Sequence, residues 1–454
     1  MNDLQGIKIA LVSLGCDKNL MDSEVMLGLI GEAGCVLVPD MAQAEVIIVN
    51  TCGFLQDAAQ ESVNHILDAG DFKEKGICRA VIVTGCLAQR YGEDIFEELP
   101  CVDAVVGTND YAKIADAIAS ALSGNPYTAL LGERNMPDEE TLLKRVISTR
   151  GHYEYLKIAE GCDNCCTYCT IPRIRGHYRS RKLESLVKEA EVLAAKGVKE
   201  LVLVAQDTSL YGKALYGESS LHILLQKLSA IDGIRWIRLM YCYPEHIYDE
   251  LIEEMARNPK VVHYIDMPIQ HADDDVLKRM GRRSTQDGIR ETVEKLREAM
   301  PDIAIRTTII TGFPGESKEA FENLAEFMEE IRFDRLGVFA YSREEDTPAD
   351  ALSGHLPEKL KQKRRDKLMA LQQEIAAANA AEWIGEELTV IVEEYLEEEK
   401  RYVGRSHMDA PFTDGVVFFA SDEALETGEF VTVKVTNAHV YDLEGAVVRR
   451  ESAE

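Results

Sequence analysis

Apolar runs alternate with helical patterns over residues 1–125 of the chain. The runs are rich in Val and Ile, and amphipathic segments such as MDSEVMLGLIGEAG separate them. Strands of this composition that alternate with helices are typical of a parallel sheet covered on both faces. The pattern predicts an N-terminal doubly wound α/β domain, with a polar linker at 126–150 after it. Its strands are predicted at IKIALVSLG, EVIIVNT and RAVIVTG.

The alternation resumes after the linker and continues to about residue 350. Six βα units are too few for a closed eight-fold barrel, but they suit a partial TIM-like barrel, whose active site belongs at the carboxyl ends of the strands. An unbroken helical pattern at 357–384 predicts a connecting helix, so the central domain spans 151–384. The six strands are predicted at YEYLKIAEG, KELVLVAQD, IRWIRLMYCY, VVHYIDMPIQ, IAIRTTIITG and RLGVFAYS.

Short apolar strands and turns replace this pattern in residues 385–454. Such spacing predicts a small all-β domain, an OB-like barrel. The segment is also strongly acidic, since residues 381–454 contain 18 Asp and Glu against 6 Lys and Arg, a net charge of −12.

Composition narrows the class of protein. The chain has 454 residues, which fits roughly three domains. No apolar stretch reaches the ~18 residues of a membrane span, and the N-terminus lacks the basic start of a signal peptide, so we expect a cytoplasmic protein. The net charge of −29 disfavours simple electrostatic binding of nucleic acid and favours a basic protein partner, although excess acid also serves solubility alone.

Eleven cysteines in a reducing compartment indicate metal ligation or redox chemistry. Cys162, Cys166 and Cys169 form a CxxxCxxC motif directly after the first predicted barrel strand. Three thiolates leave one iron of a four-iron cluster open to a small molecule. With Cys165 the run is formally a four-thiolate zinc set, but structural zinc sites usually take ligand pairs from separated turns. We predict an iron–sulfur cluster on these three cysteines, with Cys165 as a neighbour that is not a ligand.

A second cysteine trio lies in the N-terminal domain. Cys16, Cys52 and Cys86 each follow a different predicted strand, at separations of 36 and 34 residues, about one βα unit. The carboxyl ends of parallel strands share one edge of a sheet, so these thiols should meet there. Burial as small hydrophobic residues is the alternative. The repeated placement favours a second, auxiliary cluster, whereas core roles are predicted for Cys35, Cys78, Cys101 and Cys242.

The CxxxCxxC motif, with an aromatic residue before its last cysteine, resembles the radical S-adenosylmethionine (SAM) superfamily. With the second trio and a terminal β-barrel called TRAM, the whole chain is similar to the methylthiotransferases of that superfamily. The resemblance implies two four-iron four-sulfur clusters, with SAM as methyl donor and radical source. One SAM would methylate a sulfur on the auxiliary cluster, a second would provide a 5′-deoxyadenosyl radical, and the methylthio group would join the resulting carbon radical of the substrate.

The resemblance also implies contacts to SAM. The adenine would lie near Tyr168 and the amino group near the end of the second barrel strand, where this chain has AQD instead of the common GGE-like pattern. The GFPGE turn at 312–316 is similar to a motif near the ribose. The implied cofactor-binding residues are Tyr168, Gln206, Asp207, Gly312, Gly315 and Glu316.

The family divides between members that modify tRNA and a branch that modifies ribosomal protein S-twelve. A barrel that reads RNA should be basic, and this one is acidic. LVSLGCDKNLMDSE and GRSHMDAPFTDG look like the ribosomal branch, with small departures at Cys165 and at the ADDD that follows His271. The resemblance therefore implies addition of a methylthio group to the β-carbon of an aspartate in that basic protein, alone or within the small ribosomal subunit.

Further expectations concern the other partners of the protein and its alternative functions. An electron donor of flavodoxin type is expected, whereas tRNA and membranes are not. A tRNA adenosine methylthiotransferase is the alternative function. A non-enzymatic iron–sulfur electron carrier or scaffold is a lesser alternative, because a large barrel exceeds what electron transfer requires.

Overall fold

The first domain contains a six-stranded sheet in the order β2-β1-β3-β4-β5-β6, with every pair parallel. This computed structural model describes residues 4–130 and 137–451 of the chain. The strands are β1 (Lys8–Ser13), β2 (Val36–Leu37), β3 (Val46–Thr51), β4 (Ala80–Gly85), β5 (Ala104–Val106) and β6 (Tyr127–Ala129). The helices are α1 (Asp17–Glu32), α2 (Gln56–Lys75), α3 (Cys86–Tyr91), α4 (Asp94–Glu98), α5 (Ile114–Leu122) and α6 (Glu139–Leu142).

Apolar packing on both faces explains why β3 and β4 lie at the centre of this sheet. Val and Ile make up at least half of each strand, and every residue of both strands is buried. Two separate apolar clusters cover the two faces, with Ile48 in one and Val49 in the other. The predicted doubly wound domain is therefore confirmed. The segment predicted as a linker, 126–150, contains β6 and α6, and its residues 131–136 lie outside the described residues.

The central domain forms a six-stranded parallel sheet in the order β14-β13-β12-β11-β10-β7. Its strands, with the two-stranded β8–β9 ribbon, are β7 (Tyr153–Lys157), β8 (Ala159–Glu160), β9 (Arg179–Ser180), β10 (Glu200–Val204), β11 (Trp236–Leu239), β12 (Val261–Asp266), β13 (Ala304–Thr311) and β14 (Arg335–Ala340). Its helices are α7 (Ile171–Arg175), α8 (Leu183–Ala195), α9 (Lys213–Tyr216), α10 (Leu221–Ser229), α11 (Asp249–Arg257), α12 (Asp274–Arg279), α13 (Gln286–Ala299), α14 (Lys318–Ile331) and α15 (Glu358–Ala381).

This arrangement confirms the predicted partial barrel, because the six strands follow one another in sequence order with helices between them. The largest apolar cluster lies between the outer face of the sheet and these helices, and includes Leu201, Leu203 and Ile265. Residues that alternate with them point inward. The carboxyl ends of these strands are thus held on one rigid frame, and the CxxxCxxC motif lies at that end of the sheet, after β8.

The third domain is a closed five-stranded barrel in the order β15-β16-β17-β19-β18, which confirms the predicted small all-β domain. Its strands are β15 (Glu387–Leu396), β16 (Arg401–Arg405), β17 (Val417–Ala420), β18 (Phe430–Ala438) and β19 (Leu443–Arg450). Buried ion pairs attach it to the central domain: Arg405 Nη2 lies 2.6 Å from Glu200 Oε2, and Arg335 Nη2 lies 2.8 Å from Asp409 Oδ1.

Arg145 connects the first domain to the central one. Its guanidinium is buried and lies 2.7 Å from Glu24 Oε2 on α1, and 2.8 Å from both Glu154 on β7 and Glu189 on α8. Loss of one partner from such a buried ion cluster costs about 3–5 kcal/mol, because the remaining charges stay buried. The relative position of the two cysteine trios therefore depends on a rigid interface. No helix among the described residues is long and apolar enough to cross a membrane.

Candidate active site

The first cysteine trio lies at one edge of the first sheet. Cys16 follows β1, Cys52 follows β3, and Cys86 is the first residue of α3, directly after β4. These three strands are neighbours in the sheet, so their carboxyl ends lie side by side. The thiols are close enough that Cys16 raises the pKa of Cys52 and, with Cys52, that of Cys86, although burial makes the larger contribution. Burial raises the pKa of Cys86 to about 11.

Two glycines allow the strand ends to approach one another. Gly15 has φ +89°, and a Cβ there would lie 2.9 Å from Cys52 Cβ and 3.2 Å from its Sγ. Gly85 has φ +91°, and its Cβ would lie 2.5 Å from the carbonyl oxygen of Thr51. Only glycine combines this backbone conformation with so close an approach. The positions of the three thiols therefore depend on the residues that precede Cys16 and Cys86.

Polar side chains that sequence reasoning missed hold the same loops. The Asn19 amide donates to the carbonyl of Leu14 at 2.6 Å, and the Asn50 amide donates to Ser23 Oγ at 2.7 Å. The Ser62 hydroxyl donates to the carbonyl of Cys52 at 2.9 Å, and the amide of Cys52 donates back to it at 3.0 Å. One sequence signal could have identified these residues: an Asn or Ser in the helix that follows a strand-end cysteine.

The second trio lies on the loop between β8 and α7. The amide of Asn164 donates to Cys162 Sγ at 3.4 Å, and the amide of Ile171 donates to Cys169 Sγ at the same distance. Burial raises the pKa of Cys162 to about 12 and raises the pKa of Cys169 further. Binding of a metal would displace the protons of these thiols, because a cysteine ligand binds as the thiolate. The Cys165 side chain, in contrast, is exposed.

Both trios fit a four-iron cluster with one open iron. All eleven cysteines are free thiols, and each trio receives N–H donors at a sulfur atom. N–H donation to cysteine sulfur is one of the ways in which proteins tune such clusters. Within the described ranges, no three His, Cys, Asp or Glu side chains are placed to hold one single metal ion. In a four-iron cluster each cysteine binds a different iron, so its three ligands lie farther apart than those of a single ion.

The residues implied as SAM contacts fall into two groups. Tyr168 packs edge-to-face against Phe313 of the GFPGE turn, with ring centroids 6.4 Å apart. Gln206 donates to Glu160 Oε1 at 2.8 Å, and its own buried Oε1 has no hydrogen-bond partner in the part of the chain that the structure describes. Tyr168 and Gln206 therefore present an aromatic surface and an available acceptor beside the cysteine loop.

The other residues implied as SAM contacts already interact with neighbouring protein groups. Asp207 is fully buried and accepts from Asn164 Nδ2 at 3.1 Å and interacts with His246 Nδ1 at 2.8 Å. Glu316 accepts from the amide of Gly312 at 2.6 Å and forms an ion pair with Arg364. Gly315 lies against the guanidinium of Arg279. Asp207 thereby holds the cysteine loop, and Glu316 holds its own turn.

Sequence reasoning also missed an arginine beside the second trio. Arg282 is buried, and its guanidinium lies 4.2 Å from the ring centroid of Tyr243, whose hydroxyl is 4.0 Å from Cys166 Sγ. It donates to the carbonyl of Pro268 at 2.8 Å, and its nearest carboxylate, on Glu245, is 3.7 Å away. Its Nε and Nη1 have no hydrogen-bond partner among the described residues. A buried cation with free donors is suited to an anionic ligand.

A cavity of about 410 Å³ lies beside Cys16 of the first trio and is lined by all three domains. Cys16 and Asp17 come from the first domain and Tyr241 from the central one. The third domain contributes 410–413, where Phe412 is 82% exposed with φ +58°. This exposure is the highest of any large apolar side chain that the structure describes. A bulky residue in this backbone region is a rare and strained feature that often marks a functional site.

Comparisons with known proteins agree with this architecture. A family model described as the radical SAM superfamily matches residues 156–328, uncharacterized protein family UPF0004 matches 8–107, and the TRAM domain matches 384–448. A curated relative from Lachnoclostridium phytofermentans, named ribosomal protein uS12 methylthiotransferase RimO, is 51% identical over 439 residues, 97% of this chain and 99% of its own. A relative of the same name from Acetivibrio thermocellus is 49% identical and covers 98% and 99%.

Solved structures share the fold. The radical SAM methyltransferase TsrM from Kitasatospora setae, with cobalamin and a 4Fe–4S cluster bound, superimposes with a TM-score of 0.57 at 16% identity. The match covers 76% of this chain and 77% of that one. At this identity the likeness concerns the arrangement of the strands and helices alone.

Proposed function

This chain belongs to the RimO family of radical SAM methylthiotransferases, and we infer from this that it transfers a methylthio group to ribosomal protein uS12. We propose further that the acceptor is the β-carbon of an aspartate in that protein. The observation that carries the proposal is the presence of two cysteine trios, one at the edge of the first sheet and one on the loop after β8, in domains that buried ion pairs hold together.

We propose that the two trios hold two four-iron clusters. Cys162, Cys166 and Cys169 would hold the cluster that reacts with SAM, and the trio of the first domain would hold the auxiliary cluster. When bound, such clusters supply one electron for SAM cleavage and a site for a sulfur species. The electron donor is proposed to be a flavodoxin-type protein, and the cytoplasm is the proposed location.

The surroundings of the second trio suit SAM in three respects. Arg282 has free guanidinium donors for the carboxylate, because its Nε and Nη1 have no hydrogen-bond partner among the described residues. Gln206 Oε1 is an available acceptor for the amino group. Tyr168 and Phe313 provide aromatic surface for the adenine. Asp207 acts indirectly. It accepts a hydrogen bond from the side chain of Asn164, and the backbone amide of Asn164 donates to Cys162 Sγ.

We propose that the target segment of uS12 enters through the cavity lined by Cys16, Tyr241 and Phe412. This cavity is lined by Cys16 of the first trio, and a substrate of the auxiliary cluster must come close to that trio. The third domain, which forms the mouth, carries the net charge of −12 over residues 381–454. A basic ribosomal protein is attracted to such a surface, and an RNA is repelled.

Replacement of Phe412 tests this route. Phe412→Ala should weaken binding of uS12 while SAM cleavage without substrate stays at the wild-type rate. Tyr395→Ala is the matched control, since Tyr395 is an exposed aromatic residue of the same barrel that does not line the cavity. Affinity is measured by anisotropy of labelled uS12 at two salt concentrations, because attraction between opposite charges weakens with salt. Equal affinities of the two variants would contradict the proposed route.

The substrate itself is tested by anaerobic incubation with purified uS12 and, separately, with tRNA. Mass spectrometry should detect an added methylthio group on one aspartate of uS12 and none on the tRNA. A methylthio group on tRNA, with uS12 unchanged, would overturn the assignment and support the alternative substrate.

A further inference from the structure

The short helix α7 lies between the two cysteine trios. It begins directly after the second trio, where the amide of Ile171 donates to Cys169 Sγ at 3.4 Å. It ends at Arg175, whose Nη2 donates to Cys86 Sγ at 3.6 Å. One helix of five residues therefore contacts a sulfur of each trio, one at either end.

The guanidinium of Arg175 is fixed by further contacts. The residue is 1% exposed, and its Nη1 donates to Asp22 Oδ2 at 3.0 Å and to Glu160 Oε2 at 2.9 Å. Lys157 Nζ contacts the same two carboxylates, at 2.5 and 2.9 Å, so two cations face two carboxylates. The carboxylates are served by Nη1, whereas Nη2 donates to Cys86 Sγ, so the bond to sulfur uses a nitrogen that the ion pairs leave free.

Asn19 provides a second link to the first domain, since its Oδ1 accepts from Arg175 Nη2 at 3.3 Å. The same Asn19 holds the loop before Cys16 through the carbonyl of Leu14. The guanidinium therefore touches both the sulfur of one ligand and the side chain that positions the loop of another. An arginine suits this place, because its planar fork donates in several directions at once, whereas a lysine ammonium is a single point charge.

We propose that Arg175 is a positioning residue for the auxiliary cluster: it holds the Cys86 sulfur, raises the reduction potential of the cluster, and links that cluster to the loop of the radical SAM cluster. This inference rests on the proposed function, which places a cluster on the first trio. Hydrogen bonds to cluster sulfur and nearby positive charge both favour the reduced state, which carries one more negative charge. Donors behind the ligands also affect metal retention, typically by 10–100-fold.

Potential and metal retention are measured with the full-length chain. For the potential, Cys162, Cys166 and Cys169 are all replaced by Ala, so that a redox titration followed by electron paramagnetic resonance reports the auxiliary cluster alone. For retention, the protein with both clusters is challenged with an iron chelator. Arg175→Lys keeps the charge and loses the bond to sulfur, and Arg175→Met loses both.

The midpoint reduction potential of the auxiliary cluster should be least negative in the wild type, more negative in Arg175→Lys and most negative in Arg175→Met. Iron loss from the auxiliary cluster should be at least about tenfold faster in Arg175→Lys, and the radical SAM cluster should keep its iron. Arg181→Lys is the control, because Arg181 is another buried arginine, bonded to Lys157 O and Glu189, without a contact to sulfur.

Two results would overturn the inference. One is an Arg175→Lys protein with the midpoint and the iron retention of the wild type. The other is an equal shift in Arg181→Lys, which would assign the effect to the buried ion network in general. A wild-type protein that binds a single cluster would instead contradict the proposed function itself, so the two failures are distinguishable.

Discussion

Replacement of Gly15 by Ala should remove the auxiliary cluster and leave the radical SAM cluster in place. Gly15 has φ +89°, and an added Cβ would lie 2.9 Å from Cys52 Cβ. Gly6 offers a matched control in the same domain, since it has φ +81° and nothing lies within 4 Å of its Cβ position. An L-residue in this backbone region costs about 1–2 kcal/mol, and both variants bear that cost.

The difference between the two variants comes from the contact with Cys52. Carbon atoms pack at about 3.5–4.0 Å, so Cys52 must move by at least about 0.6 Å to admit the methyl group. Metal–ligand distances tolerate only about 0.2 Å. We therefore expect Gly15→Ala to lose the cluster that Cys52 helps to hold, whereas Gly6→Ala loses only thermal stability.

Iron and sulfide are measured per chain after anaerobic reconstitution, together with 5′-deoxyadenosine formation from SAM. Gly15→Ala should bind about four irons and Gly6→Ala about eight, the contents of one and two four-iron clusters. Both should form 5′-deoxyadenosine. The reasoning is refuted if Gly15→Ala retains the full iron content, or if Gly6→Ala loses as much iron as Gly15→Ala does.

Three further predictions concern single side chains. Cys166→Ala should abolish 5′-deoxyadenosine formation and Cys165→Ala should have a mild effect, because Cys165 is exposed; reversed effects would contradict the ligand assignment. Arg282→Met should raise the KM for SAM at least tenfold, because a buried hydrogen bond to a charged group contributes about 1.5–3 kcal/mol. An unchanged KM would exclude a contact between Arg282 and the SAM carboxylate. Burial raises the pKa of Glu154 from 4.5 to about 7, so its contribution to stability is complete below pH 4.5 and disappears as the pH rises through 7. Glu154→Gln removes this titration, so the difference in unfolding free energy between the variant and the wild type should change by up to about 3 kcal/mol between pH 4.5 and 7, measured by denaturant unfolding. A constant difference across that window would be inconsistent with the raised pKa.

The strands and the two cysteine trios could be predicted from the sequence because their signals are local. A run such as VIIVNT followed by Cys52 shows both the buried strand and the residue at its end. The parallel order of the sheet then brings Cys16, Cys52 and Cys86 to one edge. Here the periodicity of the chain and the rule for ligand sites in α/β sheets were sufficient.

Contacts between domains could not be predicted in this way. Arg175 and Cys86 are 89 positions apart and belong to different domains, so their contact depends on how the domains dock, which no local pattern encodes. The same holds for Glu344, which accepts from the amide of Gln56 near the first trio.

Adjacent residues also separate in role. The sequence resemblance implies a SAM contact for both Gln206 and Asp207. In the structure Gln206 keeps an available oxygen, while Asp207 is fully buried and bonded to Asn164 and His246. Successive side chains at a strand end point in different directions. One residue of the motif therefore faces the cofactor site, and the next one supports the cysteine loop.

The most direct test of two cooperating cluster sites is iron quantification with Mössbauer spectroscopy of the anaerobically reconstituted chain. The wild type should contain about eight irons, all in four-iron clusters, and Cys16→Ala about four. A wild-type chain that holds only four irons, or zinc on Cys162, Cys166 and Cys169, would contradict the account.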